Sequence, residues 1–136
     1  SILFSAYDAG VGSTPNKKRV SCSFAVPVHV PQGYQVSVIK VDWQGYLEGQ
    51  GTFRRKYFFA GQPNVPWEED NLNTPNGDNF LRTDGRLHDS LTFSECGRDK
   101  NLRINSEIRA KGSSYMAIDT VDLENTVVFH LQWRAC

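Results

Sequence analysis

The sequence predicts an all-β fold, an antiparallel β-sandwich of jelly-roll type, and three observations carry the prediction. First, apolar residues alternate with small, polar or ring-locked ones from Val20 to Val30: Val20, Cys22, Phe24, Val26, Val28 and Val30 against Ser21, Ser23, Ala25, Pro27 and His29. Period two is the pattern of a strand with one face in a core and one in water. Second, the pattern returns in Leu102, Ile104 and Ile108, and again in Val127, Phe129, Leu131 and Trp133. Third, Gly- and Pro-bearing turns punctuate such segments and no segment has an amphipathic helical period. A closed barrel is the alternative architecture.

The elements follow in order. Ser1 to Tyr7 is strand-like, with Ile2, Phe4 and Ala6 on one face and Leu3 and Tyr7 on the other. Both faces are apolar, so this strand needs cover on both sides. Asp8 to Arg19 reads as a linker, too long for a tight hairpin turn. Residues 20–136 form the main body of one domain. Pro31-Gln32-Gly33 is a turn. From Tyr34 to Trp43 the apolar positions switch from even (Tyr34, Val36, Val38) to odd (Ile39, Val41, Trp43), which predicts a bulge or a crossing between sheets. Gly45, Gly49 and Gly51 break up the next stretch. Phe53 to Phe59 is a strand with Phe53, Tyr57 and Phe59 on one side and Arg54, Lys56 and Phe58 on the other. Gly61 to Gly77 is the longest irregular region, and shorter strands are expected at 79–83, 89–93 and 115–119. The expected core is Phe24, Val26, Val28, Val36, Val38, Tyr57, Phe59, Leu102, Ile104, Val127, Phe129, Leu131 and Trp133.

Composition narrows the function classes. A chain of 136 residues is long enough to bury a core as one domain. Its 15 basic and 15 acidic residues cancel, which gives no long-range reason to seek nucleic acid or an anionic membrane. No apolar run approaches a membrane span, so no membrane insertion is expected. The three cysteines, Cys22, Cys96 and Cys136, have no zinc-ligand spacing. An oxidising compartment with one internal bridge is the favoured reading, three buried thiols in a reducing one the alternative. Cys22–Cys136 is the expected pair, because the start of one strand lies beside the end of an antiparallel neighbour; Cys96 is then unpaired in this chain.

Few residues suggest chemistry. His29 and His130 sit on the polar faces of long strands and read as surface histidines. His88-Asp89-Ser90 has the residue types of a hydrolase triad, but consecutive residues cannot form one. Glu68-Glu69-Asp70 with Asp78 places four carboxylates around a polar loop, in a spacing that fits no EF-hand. No metal, no cofactor and no catalytic set is therefore expected. Arg54, Arg55, Lys56 and Phe58 mix cations with aromatics, as a sugar- or partner-binding surface does, and as a charge-guarded edge strand also does.

Several segments together resemble one family: Pro31-Gln-Gly-Tyr-Gln-Val-Ser-Val with Asp42-Trp-Gln-Gly-Tyr-Leu; Lys56-Tyr-Phe-Phe-Ala-Gly-Gln62; Cys96-Gly97 followed by Asn101-Leu-Arg-Ile-Asn105 and Ile108-Arg109; and the closing Leu131-Gln-Trp-Arg-Ala-Cys136. The chain resembles the domain of unknown function family numbered 4360, small secreted proteins of fungi and bacteria, over most of its length. The resemblance implies secretion and cysteine pairing, and supplies no activity or catalytic residues. Family members resemble a longer chain in which a cysteine-bearing segment precedes the first strand. Its absence here accounts for the odd cysteine count and implies that the first strand has lost a neighbour.

The resulting expectation is a secreted, non-enzymatic structural or interaction protein. It self-assembles into an oligomer or filament by adding Ile2, Leu3, Phe4 and Tyr7 to another copy. A carbohydrate- or cell-surface-binding module is the alternative, and a secreted hydrolase the third reading.

Overall fold

A computed structural model describes residues 2–28, 32, 34–61, 65–84, 100–122 and 129–135; of Val26, Val28, 34–40, Lys100, Asp122 and 129–135 it describes the backbone alone. The chain is all-β. Its strands are β1 (Ile2–Leu3), β2 (Asp8–Gly10), β3 (Arg19–Val28), β4 (Tyr34–Phe59), β5 (Glu68–Asp84), β6 (Lys100–Asp122) and β7 (Phe129–Ala135). All join one antiparallel sheet. The long β4 and β6 lie side by side at its centre. Strand β5 flanks β4, while β1, β2 and β3 flank β6. Strand β7 takes up the β6 side of β4 where β6 ends, since Val41 already pairs with Asp84 of β5 on its other side.

The sheet is folded across a crease. At about 3.4 Å per residue, a straight β4 would hold Trp43 and Tyr57 about 48 Å apart. Instead the Trp43 indole N–H donates to the Tyr57 hydroxyl at 2.8 Å. Tyr7 Oη and Ser106 Oγ, which flank distant parts of β6, likewise meet at 2.8 Å. All three long strands lose register at one level: β4 between Leu47 and Gln50, β5 between Thr74 and Asp78, β6 between Lys111 and Tyr115. Each break carries a glycine with positive φ: Gly49 at 100°, Gly77 at 79° and Gly112 at 60°. Gly49 is also fixed by space, because a Cβ there would lie 2.2 Å from Ser114 Oγ.

The crease yields two facing layers, the geometry of a sandwich made from one sheet. The first layer holds β3 with 102–109 of β6, 51–59 of β4 and 68–74 of β5; the second holds β1 and β2 with 115–122, 41–48 and 78–84. Between them lie Phe53, Phe59, Leu102, Ile104 and Ile108 from the first layer, and Trp43, Leu47, Met116, Ile118 and Val121 from the second, all fully buried. The Trp43 and Phe53 rings meet edge to face at 5.2 Å. Of the expected core, Phe59, Leu102 and Ile104 are buried and Phe24 and Tyr57 pack against it. Val127 lies outside the described residues; Val26, Val28, Val36, Val38, Phe129, Leu131 and Trp133 lie outside the described side chains.

Three expectations need correction. Of the strand expected over 1–7, only Ile2–Leu3 forms among the described residues, and residues 4–7 turn out of it towards β2. The region from Gly61 to Gly77 is not irregular past Glu68, where the 17-residue β5 begins. Its pairing with β4 continues on both sides of the crease, and its polar residues conceal the alternation. Nor is Asp8 to Arg19 a free linker. Asp8–Gly10 is a strand on β6, and the Asp8 carboxylate accepts from the Thr14 backbone N–H at 3.0 Å and from the Tyr115 hydroxyl at 3.1 Å, which gathers the loop onto the sheet. The parity switch expected near Val38 is present as a register shift between Val38 and Lys40.

Candidate functional site

Period two divides Arg54, Arg55, Lys56 and Phe58 between the two faces of the first layer. Arg54, Lys56 and Phe58 point outward. There the Trp67 ring, on the approach to β5, has the Arg54 guanidinium 4.5 Å and the Lys56 ammonium 4.6 Å from its centre. Lys56 also lies 5.6 Å from the Phe58 ring.

Strand register extends this patch across the layer. On β6, Arg103, Asn105, Glu107 and Arg109 alternate outward with buried Leu102, Ile104, Ser106 and Ile108. Opposite them β4 supplies Phe58, Lys56, Arg54 and Thr52, and β3 supplies Ala25, Ser23, Ser21 and Arg19. Strand β5 adds Glu69 opposite Arg54 and Asn71 opposite Thr52. The outer face thus carries the cations Arg19, Arg54, Lys56, Arg103 and Arg109 against the carboxylates Glu69 and Glu107. Glu107 is shared, 3.2 Å from Arg54 and 3.5 Å from Arg19. Arg103 and Arg109 are exposed and meet no carboxylate among the described residues. The opposite side of the second layer has exposed Glu48 and Asp119 with buried, hydrogen-bonded Asp8 and Asp42, and no Lys or Arg among its described side chains. Among the described side chains, the outer face of the first layer is thus the basic one.

Arg55 lies on the other side, 4% exposed between the layers. Its Nε donates to Asp84 Oδ2 at 2.7 Å, its Nη2 pairs with Asp84 Oδ1, and its Nη1 reaches Asp70 at 2.7 Å. Arg82 holds the same Asp70 oxygen at 3.1 Å. The Tyr57 hydroxyl accepts from Trp43 and donates to Asp84. Burial opposes the Arg55 charge, but the hydrogen bonds and charge of Asp84, then of Asp70, hold the guanidinium protonated. Burial, reinforced by the Asp84 carboxylate, pushes Tyr57 well above the ordinary phenol range. This network bridges the two layers; Arg55 and Asp84 are buried at its centre, and Asp70 and Arg82 are partly exposed at its edge.

The remaining expected residues are dispersed. Ile2 and Leu3 pair with Val121 and Thr120 of their own chain. Phe4 meets the Tyr7 ring at 5.3 Å, and Tyr7 is buried, its ionisation pushed up by burial. Leu3 alone is widely exposed, at 78%. Glu68, Glu69 and Asp70 lie opposite Arg55, Arg54 and Phe53 while Asp78 lies across the crease, and among the described residues no three His, Cys, Asp or Glu side chains gather as a metal site. Cys22 is a half-buried free thiol whose ionisation burial pushes up. Its expected partner Cys136, together with Cys96, His29 and His88-Asp89-Ser90, lies outside the described residues, and the His130 side chain is likewise outside. A shallow polar groove of about 490 Å³ at the crease is lined by Gly49, Gln50, Asn73, Lys111 and Ser114 among others.

Sequence reasoning missed Trp67, Arg19, Arg103 and Arg109 as parts of one face. The alternation around Ile104 already turned Arg103 and Arg109 outward; what was missing was the register that sets them beside Arg54, Lys56 and Arg19.

The model of the family described as Domain of unknown function (DUF4360) matches residues 1–136. A protein of Arthroderma benhamiae, described as an uncharacterized secreted protein, is 27% identical over 146 residues, covering 99% of this chain and 60% of that protein. The chain thus spans 60% of the length of the curated relative it matches. The secreted location expected from the cysteines agrees with that relative, and the protein is secreted.

Proposed function

The chain belongs to the DUF4360 family of domains of unknown function, and from that premise we propose that it is a non-enzymatic extracellular interaction module. It works through the outer face of its first layer. The observation that carries this reading is the charge imbalance: among the described side chains, five cations against two carboxylates on one sheet face, with Trp67 set between two of the cations, in a chain whose total charge is zero. Surface charges of both signs are ordinarily interspersed, and separation by face serves recognition. The test is a glycan array probed with the wild type and with R103E/R109E. Retention by the wild type and loss in the variant is expected; identical profiles would sink the reading.

Self-association through the first strand is the second reading, up to a filament if the contact repeats head to tail. Leu3, 78% exposed on a strand whose other side is open among the described residues, favours it. The contact would be between sheet edges, since Phe4 and Tyr7 are engaged in their own chain. Light scattering over a concentration series, with Leu3→Lys for comparison, tests it: a monomer at all concentrations dismisses this reading.

A further inference from the structure

We infer that the ligand of the basic face is a linear acidic polysaccharide, one bearing a carboxylate on successive sugar rings. The inference rests on the interaction-module reading above and adds the ligand class. Register sorts the face into four successive rows across the strands: Ala25–Arg103–Phe58, Ser23–Asn105–Lys56, Ser21–Glu107–Arg54 and Arg19–Arg109–Thr52. Every row contains a cation; Arg54 and Arg19 share Glu107, while Arg103, Lys56 and Arg109 meet no carboxylate among the described residues. Rows of outward residues repeat about every 6.8 Å, so the cations form a track of about 20 Å from Arg103 to Arg109.

A track of regularly spaced cations matches a polymer with regularly spaced anions, and matches a single small anion poorly. The β3 side of the track is floored by Ser21, Ser23 and Ala25, whose short side chains leave room for a chain lying along β6. Asn105, Asn71 and the two serines supply donors and acceptors for ring hydroxyls. Trp67 and Phe58, whose rings hold Arg54 and Lys56, border the track with combined apolar and cationic surface. The location of the protein outside the cell makes acidic glycans accessible to it.

The experiment is affinity electrophoresis and calorimetry of the whole chain with polygalacturonate, a neutral glucan of similar length and a single-stranded oligonucleotide of matched charge. Polygalacturonate is expected to bind, with affinity falling at least roughly tenfold when salt is raised from about 0.03 M to about 0.3 M, as screening shortens. R103Q/R109Q should weaken it about tenfold or more and W67A should weaken it further, each with an unchanged circular dichroism spectrum and melting temperature. Should W67A alone lower the melting temperature, F58A carries the aromatic arm of the test. Oligonucleotide binding as tight as that of polygalacturonate would overturn the sugar assignment. Preference for the neutral glucan, abolished by the same variants, would overturn the acidic class while keeping the interaction face. Salt-sensitive self-association lost in R103Q/R109Q would make the occupant a second copy and overturn the inference. No binding of any probe and no self-association would overturn both the inference and the proposed function.

Discussion

Replacing Asp84 by alanine tests whether one carboxylate holds the two layers together. Asp84 is 7% exposed and receives Arg55, also buried, through two guanidinium nitrogens, and the Tyr57 hydroxyl as well. Removing one partner of a buried pair costs about 3–5 kcal/mol, because the remaining charge is left without compensation. Asp70 keeps one hydrogen bond to Arg55, which places the expected loss at about 3 kcal/mol, near the lower end of that range. For a chain of this size that corresponds to about 12 °C in melting temperature, at roughly 4 °C per kcal/mol. Urea unfolding followed by tryptophan fluorescence is the assay, since Trp43 lies in the same network. The double variant R55M/D84L should recover most of the loss, because it removes both charges and keeps the volume. A loss below about 1 kcal/mol for Asp84→Ala, the range of an exposed pair, would refute the argument. So would a double variant no more stable than the single one.

Other outcomes follow from the crease and the buried phenols. Gly49→Ala should cost at least about 2 kcal/mol through overpacking and a positive φ, whereas Gly112→Ala, which meets open space at φ 60°, should cost only about 1 kcal/mol; equal effects in urea melts would contradict the crease as described. Tyr7→Phe should lose about 1 kcal/mol with the Ser106 hydrogen bond, measured the same way, and an unchanged midpoint would contradict it. Burial raises Tyr7 and Tyr57 above the ordinary phenol range in the folded protein. The folded state therefore holds protons that the unfolded state releases above about pH 10. Stability should be constant with respect to these groups below that pH and fall above it, as seen in urea midpoints alongside phenolate absorbance. An alkaline curve unchanged by Tyr7→Phe and Tyr57→Phe together would refute the assignment.

The strands were legible wherever one face is continuously apolar. Val20 to Phe24, Leu102 to Ile108 and Phe53 to Phe59 announce themselves because burial and exposure alternate with residue chemistry. Strand β5 was not legible for the same reason in reverse. It is polar along most of its length, from Glu68 through Asn79, and its order comes from hydrogen bonding to β4. The three glycines from Gly45 to Gly51 looked like interruptions, yet the strand passes through them, because Gly45 and Gly51 are places where a side chain would strike Phe80 or Met116. The first strand was legible only in part, since the apolar run to Tyr7 suggested seven residues and only Ile2–Leu3 join the sheet. Which chain covers it depends on contacts such as Tyr7 with Ser106, nearly a hundred positions away, that no local pattern encodes.

The segment Arg54-Arg55-Lys56 shows how one pattern serves both stability and recognition. Three consecutive cations on a strand cannot share a face, so the middle one must enter the core or the strand must bulge. Arg55 enters, and Asp84 with Asp70 neutralises it there. Of these two acids of β5, Asp84 comes from the second layer and Asp70 from the first, where it faces Arg55 and not the outer face; among the described side chains that outer face carries Glu69 and Glu107 against five cations. The buried network therefore does more than fasten the layers. With Asp70 turned inward to Arg55, the first layer's outer face has one carboxylate fewer, and the face proposed to recognise an anionic ligand is tied to the pairing that holds the fold.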